Sequence, residues 1–158
     1  MNDVVLARAL HVLGVVIWIG GVAMATMVVL PAVRRGDLGA DRLQAFRAVE
    51  HRFVWIARTS VIVVGLTGFY MLARLDLWSR FHDASFWWMH AMLCIWLIFM
   101  LLLFVGEPLV LRRLFPRWVA ARPRTAFAFL HWLHVVLLVL SLVTVFGAMA
   151  GSHGWSIF

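Results

Sequence analysis

Four long apolar runs dominate the chain, at about 9–30, 53–73, 86–106 and 126–151, and short arginine-bearing stretches separate them. Each run is close to the roughly 20 apolar residues that carry an α-helix across a bilayer. The runs are continuous and do not alternate apolar with polar positions, so they read as helices and not as the strands of a membrane barrel. The first run extends well past the ~7–15 apolar residues of a signal peptide, so it reads as a span. The pattern predicts an all-α fold: an integral membrane bundle of four transmembrane helices, in one domain covering residues 1–158.

Composition sharpens this. Of the 158 residues, 65% are hydrophobic, and the mean hydropathy is +0.97. A soluble domain is nearer half apolar, and this chain has too little polar surface to cover a water-soluble globule. The net charge of +7 comes from 14 arginines and no lysine. Ten of those arginines fall in two connections: Arg34, Arg35, Arg42, Arg47 and Arg52 in the first, Arg112, Arg113, Arg117, Arg122 and Arg124 in the third. Only Arg8, Arg74 and Arg80 lie on the opposite side. The excess of basic residues on cytoplasmic loops predicts a multi-pass protein of a bacterial-type inner membrane, with both termini outside the cytoplasm. Arginines that punctuate apolar runs are topology signals, so no nucleic-acid partner is expected. The single cysteine, Cys94, excludes a disulfide framework and is expected to be a small buried hydrophobe.

The two halves of the chain resemble each other. Leu30-Pro31-Ala32-Val33-Arg34-Arg35 closes the first span, and Glu107-Pro108-Leu109-Val110-Leu111-Arg112-Arg113 follows the third. His11 and His90 stand near the outer starts of spans one and three; His51 stands at the inner start of span two, His131 and His134 at that of span four. This suggests a pseudo-two-fold repeat of helix hairpins about an axis normal to the membrane.

Ionisable residues inside a span are costly and mark functional hypotheses. His11 and His90 should lie at similar depth, roughly 5–10 Å below the outer surface, with the inner histidines on the order of 15–20 Å away along the normal. Two histidines at equal depth on facing helices suit bis-imidazole haem ligation. The predicted outer pair is His11 with His90. The inner pair is His51 with His131, with His134 as the alternative ligand or a hydrogen-bond partner. His11, Gly14, Trp18 and Gly21 share a helix face, where glycines would let a flat ring approach the backbone. His51, Trp55, Arg58, Ile62 and Gly65 share another, with Arg58 placed to neutralise a propionate or an anionic head group. Trp18, Trp55 and Trp96 are the tryptophans expected inside. Gly147 and Gly151 read as helix-packing positions.

The stretch His11-Val12-Leu13-Gly14-Val15-Val16-Ile17-Trp18-Ile19-Gly20-Gly21 resembles the first helix of the HemJ-type and CopD-like membrane proteins. Glu50-His51-Arg52-Phe53, with Thr59 and Gly65, is similar to their second helix, and Trp88-Met89-His90 to the start of the third. The likeness covers roughly the first two thirds of the chain. HemJ-type proteins are haem-b protoporphyrinogen IX oxidases, and CopD-like proteins are associated with copper uptake. The resemblance implies haem ligation by His11 and His90. It departs where the HemJ pattern has lysine two residues after the third-helix histidine, because this chain has Met92; haem binding is therefore expected without the oxidase activity.

The sequence thus points to a haem-b-binding membrane redox protein, with one or two haems, that exchanges electrons with a quinone or a porphyrinogen-like donor. Catalytic residues and the question of turnover stay open. Copper binding or transport is the alternative, carried by Met89, Met92 and Met100 with imidazole, a soft donor set suited to Cu(I). A cofactor-free structural or assembly subunit is the third reading. Partners expected are the lipid bilayer and a lipid-soluble redox molecule, with self-association into a homo-oligomer left open.

Overall fold

The computed structural model describes residues 2–39 and 41–155. Four helices long and apolar enough to cross a membrane run up and down in turn: α1 Asn2–Arg35, α2 Arg42–Arg74, α3 Ala84–Ala121 and α4 Pro123–Ser152. No strand occurs among the described residues. The chain is an all-α four-helix bundle and a multi-pass membrane protein.

Every helix is longer than its apolar run. The stretches expected as linkers after Leu30 and Gly106 are helical as far as Arg35 and Ala121, because their prolines do not break the helix. Proline removes one backbone donor and crowds the preceding turn, and both helices absorb this by widening to i→i+5 bonding, over Ala25–Val29 before Pro31 and over Leu102–Leu114 around Pro108. Such π segments frequently occur at functional positions. That both odd-numbered helices carry one beside a proline extends the likeness of the two halves from sequence to backbone.

The connections follow from local chemistry. Gly36 ends α1 in the left-handed conformation (φ 86°), its N–H reaching the carbonyls of Ala32 and Val33. The Asp41 carboxylate caps α2 by accepting the Gln44 N–H at 3.0 Å. Arg122 alone joins α3 to α4, and Pro123 opens α4 at the position where a missing N–H costs nothing. At the opposite end Asp3 of α1 accepts from Tyr70 (2.8 Å) and Arg74 (2.9 Å) of α2.

Each helix packs on its sequence neighbours, and α4 closes back onto α1. The core has two layers. Trp18, Val22, Val61, Val64, Ile95, Phe99, Leu137 and Leu138 fill the middle. Near the arginine-rich end, Phe46, Phe115 and Phe127 meet with ring centroids 5.4–6.0 Å apart beside Leu30 and Val33. Large apolar side chains such as Leu13, Val16, Leu66, Val139 and Phe146 face outward, the surface of a bundle solvated by lipid. Cys94, expected to be buried, is on this outer surface. A thiol is apolar enough for lipid contact, so composition did not fix its side.

Candidate functional site

The most deeply buried charge is Glu107 in the π segment of α3, 4% exposed. Arg58 of α2 holds it at 2.8 Å through Nη2, with a side chain only 17% exposed. Arg112, one turn on in α3, binds its other oxygen. Arg58 also donates Nε–H (3.0 Å) and Nη2–H (2.7 Å) to the carbonyl of Leu103. In i→i+5 bonding that carbonyl would accept from residue 108, which is proline and has no N–H. The guanidinium replaces the missing donor. It lies 5.3 Å from the Phe104 ring centre and 5.6 Å from that of Trp55, whose rings cover its faces.

The Glu50 carboxyl of α2 lies beside Glu107 and Arg112. Its Oε1 is buried and, among the described residues, has no hydrogen-bond partner. This group opens on a cavity of about 400 Å³ lined by Arg47, Glu50, His51, Leu111, Arg112 and Phe115. Two carboxyls and two arginines therefore stand together at the α2–α3 interface. Glu107 was visible in sequence only as part of the repeat; its position before Pro108 inside a continuous helix was the available signal.

Arg58, expected beside a propionate or head group, is engaged by Glu107 and Leu103. Of the helical face it shares, only Gly65 is buried, where a Cβ would come within 2.5 Å of Trp96 Cζ2 and Trp96 Nε1–H donates to the Val61 carbonyl at 2.9 Å; His51, Trp55 and Ile62 are exposed. Trp55, expected inside, is 59% exposed because it covers the guanidinium from without.

His11 turns toward α2. Its Nδ1 lies 3.0 Å from the Val64 carbonyl and 3.1 Å from Thr67 Oγ1. A carbonyl only accepts, so Nδ1 carries the ring proton and Nε2 is a lone-pair donor. Gly14 and Gly21, one and three turns on, are filled by Val64 and Phe53 of α2, so helix packing occupies the slot expected for a flat ring. Trp18 is 4% exposed, edge-on to Phe99 at 4.8 Å, and its indole N–H has no acceptor among the described residues.

No family model, no curated protein and no solved structure matches this chain.

His90 does not turn toward His11: its Nε2–H donates to the Phe81 carbonyl at 3.0 Å, and the side chain is exposed. His51 is exposed beside the α2–α3 cavity. His131 lies on the other flank, 2.6 Å from Arg34 Nη1 of α1. A guanidinium always donates, so His131 Nδ1 accepts and its ring proton sits on Nε2. His134 has the reverse arrangement, Nδ1–H donating to the Leu130 carbonyl at 2.9 Å. The hydrogen bonds of His11, His90 and His131 among the described residues go to partners other than the paired histidine expected for each, and His51 lines the α2–α3 cavity. No group of three or more His, Cys, Asp or Glu side chains able to hold a metal ion occurs among the described residues. Trp87 and Trp88 occupy the space over Gly147 and Gly151, which therefore serve helix packing.

Proposed function

We propose that this chain is a haem-b-binding redox protein of the inner (cytoplasmic) membrane, in which His11 would hold the haem iron and the arginine-rich end faces the cytoplasm. The observation that carries the reading is the Val64 carbonyl on His11 Nδ1. A haem-ligating histidine ordinarily gives its second ring N–H to a carbonyl or carboxylate, which fixes the tautomer and leaves Nε2 basic. His134 is prepared in the same way by Leu130, so it is a better second candidate than His131, whose Nε2 bears the proton. The orphaned N–H of Trp18, on the His11 face, is a donor that a bound cofactor or a quinone carbonyl would satisfy.

Haem, when bound, supplies a one-electron couple. The chain's own residues fix the imidazole tautomer at His11, exclude water with the Trp18–Phe99 layer, and hold the Arg58–Glu107 pair within the span. Intramembrane ionisable groups of this kind often mark electron or proton routes. The electron partner under this reading is a quinone or another lipid-soluble donor.

The test is the absorption spectrum of the purified full chain, oxidised and dithionite-reduced, with haem-to-protein ratios for wild type, His11→Ala, His134→Ala and His82→Ala. A Soret band in wild type, lost in His11→Ala and retained in His82→Ala, is the expected result. A colourless protein retaining copper supports the CopD-like alternative instead. Absence of both leaves the structural-subunit reading and overturns this one.

A further inference from the structure

At the arginine-rich end, apart from the cavity beside Glu50, a second cavity of about 510 Å³ is lined by Pro31, Arg34, Arg35, Arg42, Arg124 and Phe127. Four guanidiniums from three helices face one space. Among the described residues only Arg35 has a carboxylate partner, Asp37 at 2.8 Å. Arg34 donates to neutral His131 at 2.6 Å, which orients it without cancelling its charge. Neither Arg42 nor Arg124 makes an ion pair among the described residues.

Their placement along the helices matters as much as their number. Arg42 is the first residue of α2, and Arg124 the second of α4. The first turn of a helix carries partial positive charge and favours anions, so a cation there is electrostatically unfavourable. In α4 no side chain caps that turn. Like charges and the uncapped, positive end of α4 thus converge on one cavity, while the α2 end is capped by the Asp41 carboxylate; the excess of guanidiniums suits a dianionic or monoanionic oxyanion. Arginine forks match phosphate geometry in particular. Pro31 and Phe127, the latter 1% exposed, supply an apolar floor.

We infer that this cavity binds the phosphate of an anionic phospholipid head group. A basic pocket between helices, at the level where head groups lie, is a general form of lipid recognition. The apolar floor and the position at the end of four spans favour a lipid phosphate over a free one. The site is independent of haem and of which membrane side the end occupies, since both leaflets present phosphates.

Native mass spectrometry of the full chain in a non-ionic detergent tests this, with phosphatidylglycerol and phosphatidylcholine in competition. Wild type is expected to retain phosphatidylglycerol preferentially. Near an anionic surface each basic residue is worth about a fivefold affinity, so Arg42→Ala with Arg124→Ala lowers the preference about 30-fold. Arg113→Ala with Arg117→Ala removes equal charge from the same end outside the cavity and is expected to leave the preference unchanged. Both double variants are expected to keep wild-type helicity, and Arg124→Glu, which suits the first turn of α4, provides a second, independently folded test with the same direction of effect. An unchanged preference in Arg42→Ala/Arg124→Ala overturns the proposal. So does an equal loss in the control pair, which would mean diffuse surface charge. Displacement of the lipid by millimolar inorganic phosphate would reassign the cavity to a free anion and likewise overturn the lipid assignment.

Discussion

Arg58 of α2 donates two N–H groups to the carbonyl of Leu103 in α3, at 3.0 and 2.7 Å, and so replaces the backbone donor that Pro108 removes. The same guanidinium neutralises Glu107, 4% exposed, at 2.8 Å. An unsatisfied buried carbonyl costs about 1–3 kcal/mol. Arg58 consequently ties the π segment, the proline and the buried carboxylate into one unit.

Removing Arg58 leaves the buried carboxylate with the half-exposed Arg112 as its one remaining ion-pair partner among the described residues, and leaves the Leu103 carbonyl an orphan. Arg58→Met is expected to destabilise the bundle by up to about 3–5 kcal/mol, the range for breaking a buried pair from one side, with Arg112 retaining part of the pairing. Arg58→Met with Glu107→Leu should recover most of that loss, but not the roughly 1–3 kcal/mol of the unsatisfied Leu103 carbonyl. Unfolding in mixed micelles, run as a double-mutant cycle, measures both. Equal stability of Arg58→Met and wild type would show that solvent or lipid head groups satisfy these atoms.

Gly65 and Gly20 make a matched pair. A methyl on Gly65 would meet Trp96 at 2.5 Å and push the indole off the Val61 carbonyl, whereas nothing lies within 4 Å of one on Gly20. Gly65→Ala should cost about 1–3 kcal/mol, as overpacking does. Gly20→Ala should be neutral or stabilising by up to about 1 kcal/mol, from helix propensity. Melting temperatures in detergent distinguish the two, and Trp96 fluorescence should shift only in Gly65→Ala.

The Asp83 carboxylate, outside the spans, accepts from the Ser85 N–H (2.9 Å) and hydroxyl (2.8 Å). These two hydrogen bonds, the backbone one first, hold its pKa below the ordinary carboxylate value. A folded-state pKa that is depressed contributes stability above the unfolded pKa, and that contribution disappears as pH falls through the folded one. The stability difference between wild type and Asp83→Ala should therefore be present at neutral pH and shrink on acidification. A difference that grows in acid would contradict the assigned hydrogen bonds.

The ten-to-three arginine asymmetry predicts that the α1–α2 and α3–α4 connections face the cytoplasm. Cysteine labels at Leu38 and Arg122, in a Cys94→Ala background, should be protected from an impermeant reagent applied to intact cells, and one at Trp155 should react. The opposite pattern inverts the orientation and leaves the fold untouched.

The four helices are legible in the amino-acid sequence because lipid offers the backbone no partners, so a run of some 20 apolar residues must satisfy its own hydrogen bonds. Their number, and the kinship of the Pro31 and Pro108 segments, can be read from 158 letters. The neighbours of each face cannot. Helices that are apolar on nearly every side give periodicity little to report, so Gly14 and Gly21 read equally as a cofactor slot or as the seats of Val64 and Phe53. Arg58 is recognisable as a cation needing an anion, but only the packing of α2 on α3 selects Glu107 and Leu103 from all the acceptors in the chain. The same applies to His131 and His134, one turn apart on α4: the approach of Arg34 from α1 puts the ring proton of His131 on Nε2, while the Leu130 carbonyl puts that of His134 on Nδ1. Span formation is decided within each segment by its own backbone, whereas charge pairing and tautomer are decided between segments, by groups that meet only when the bundle closes.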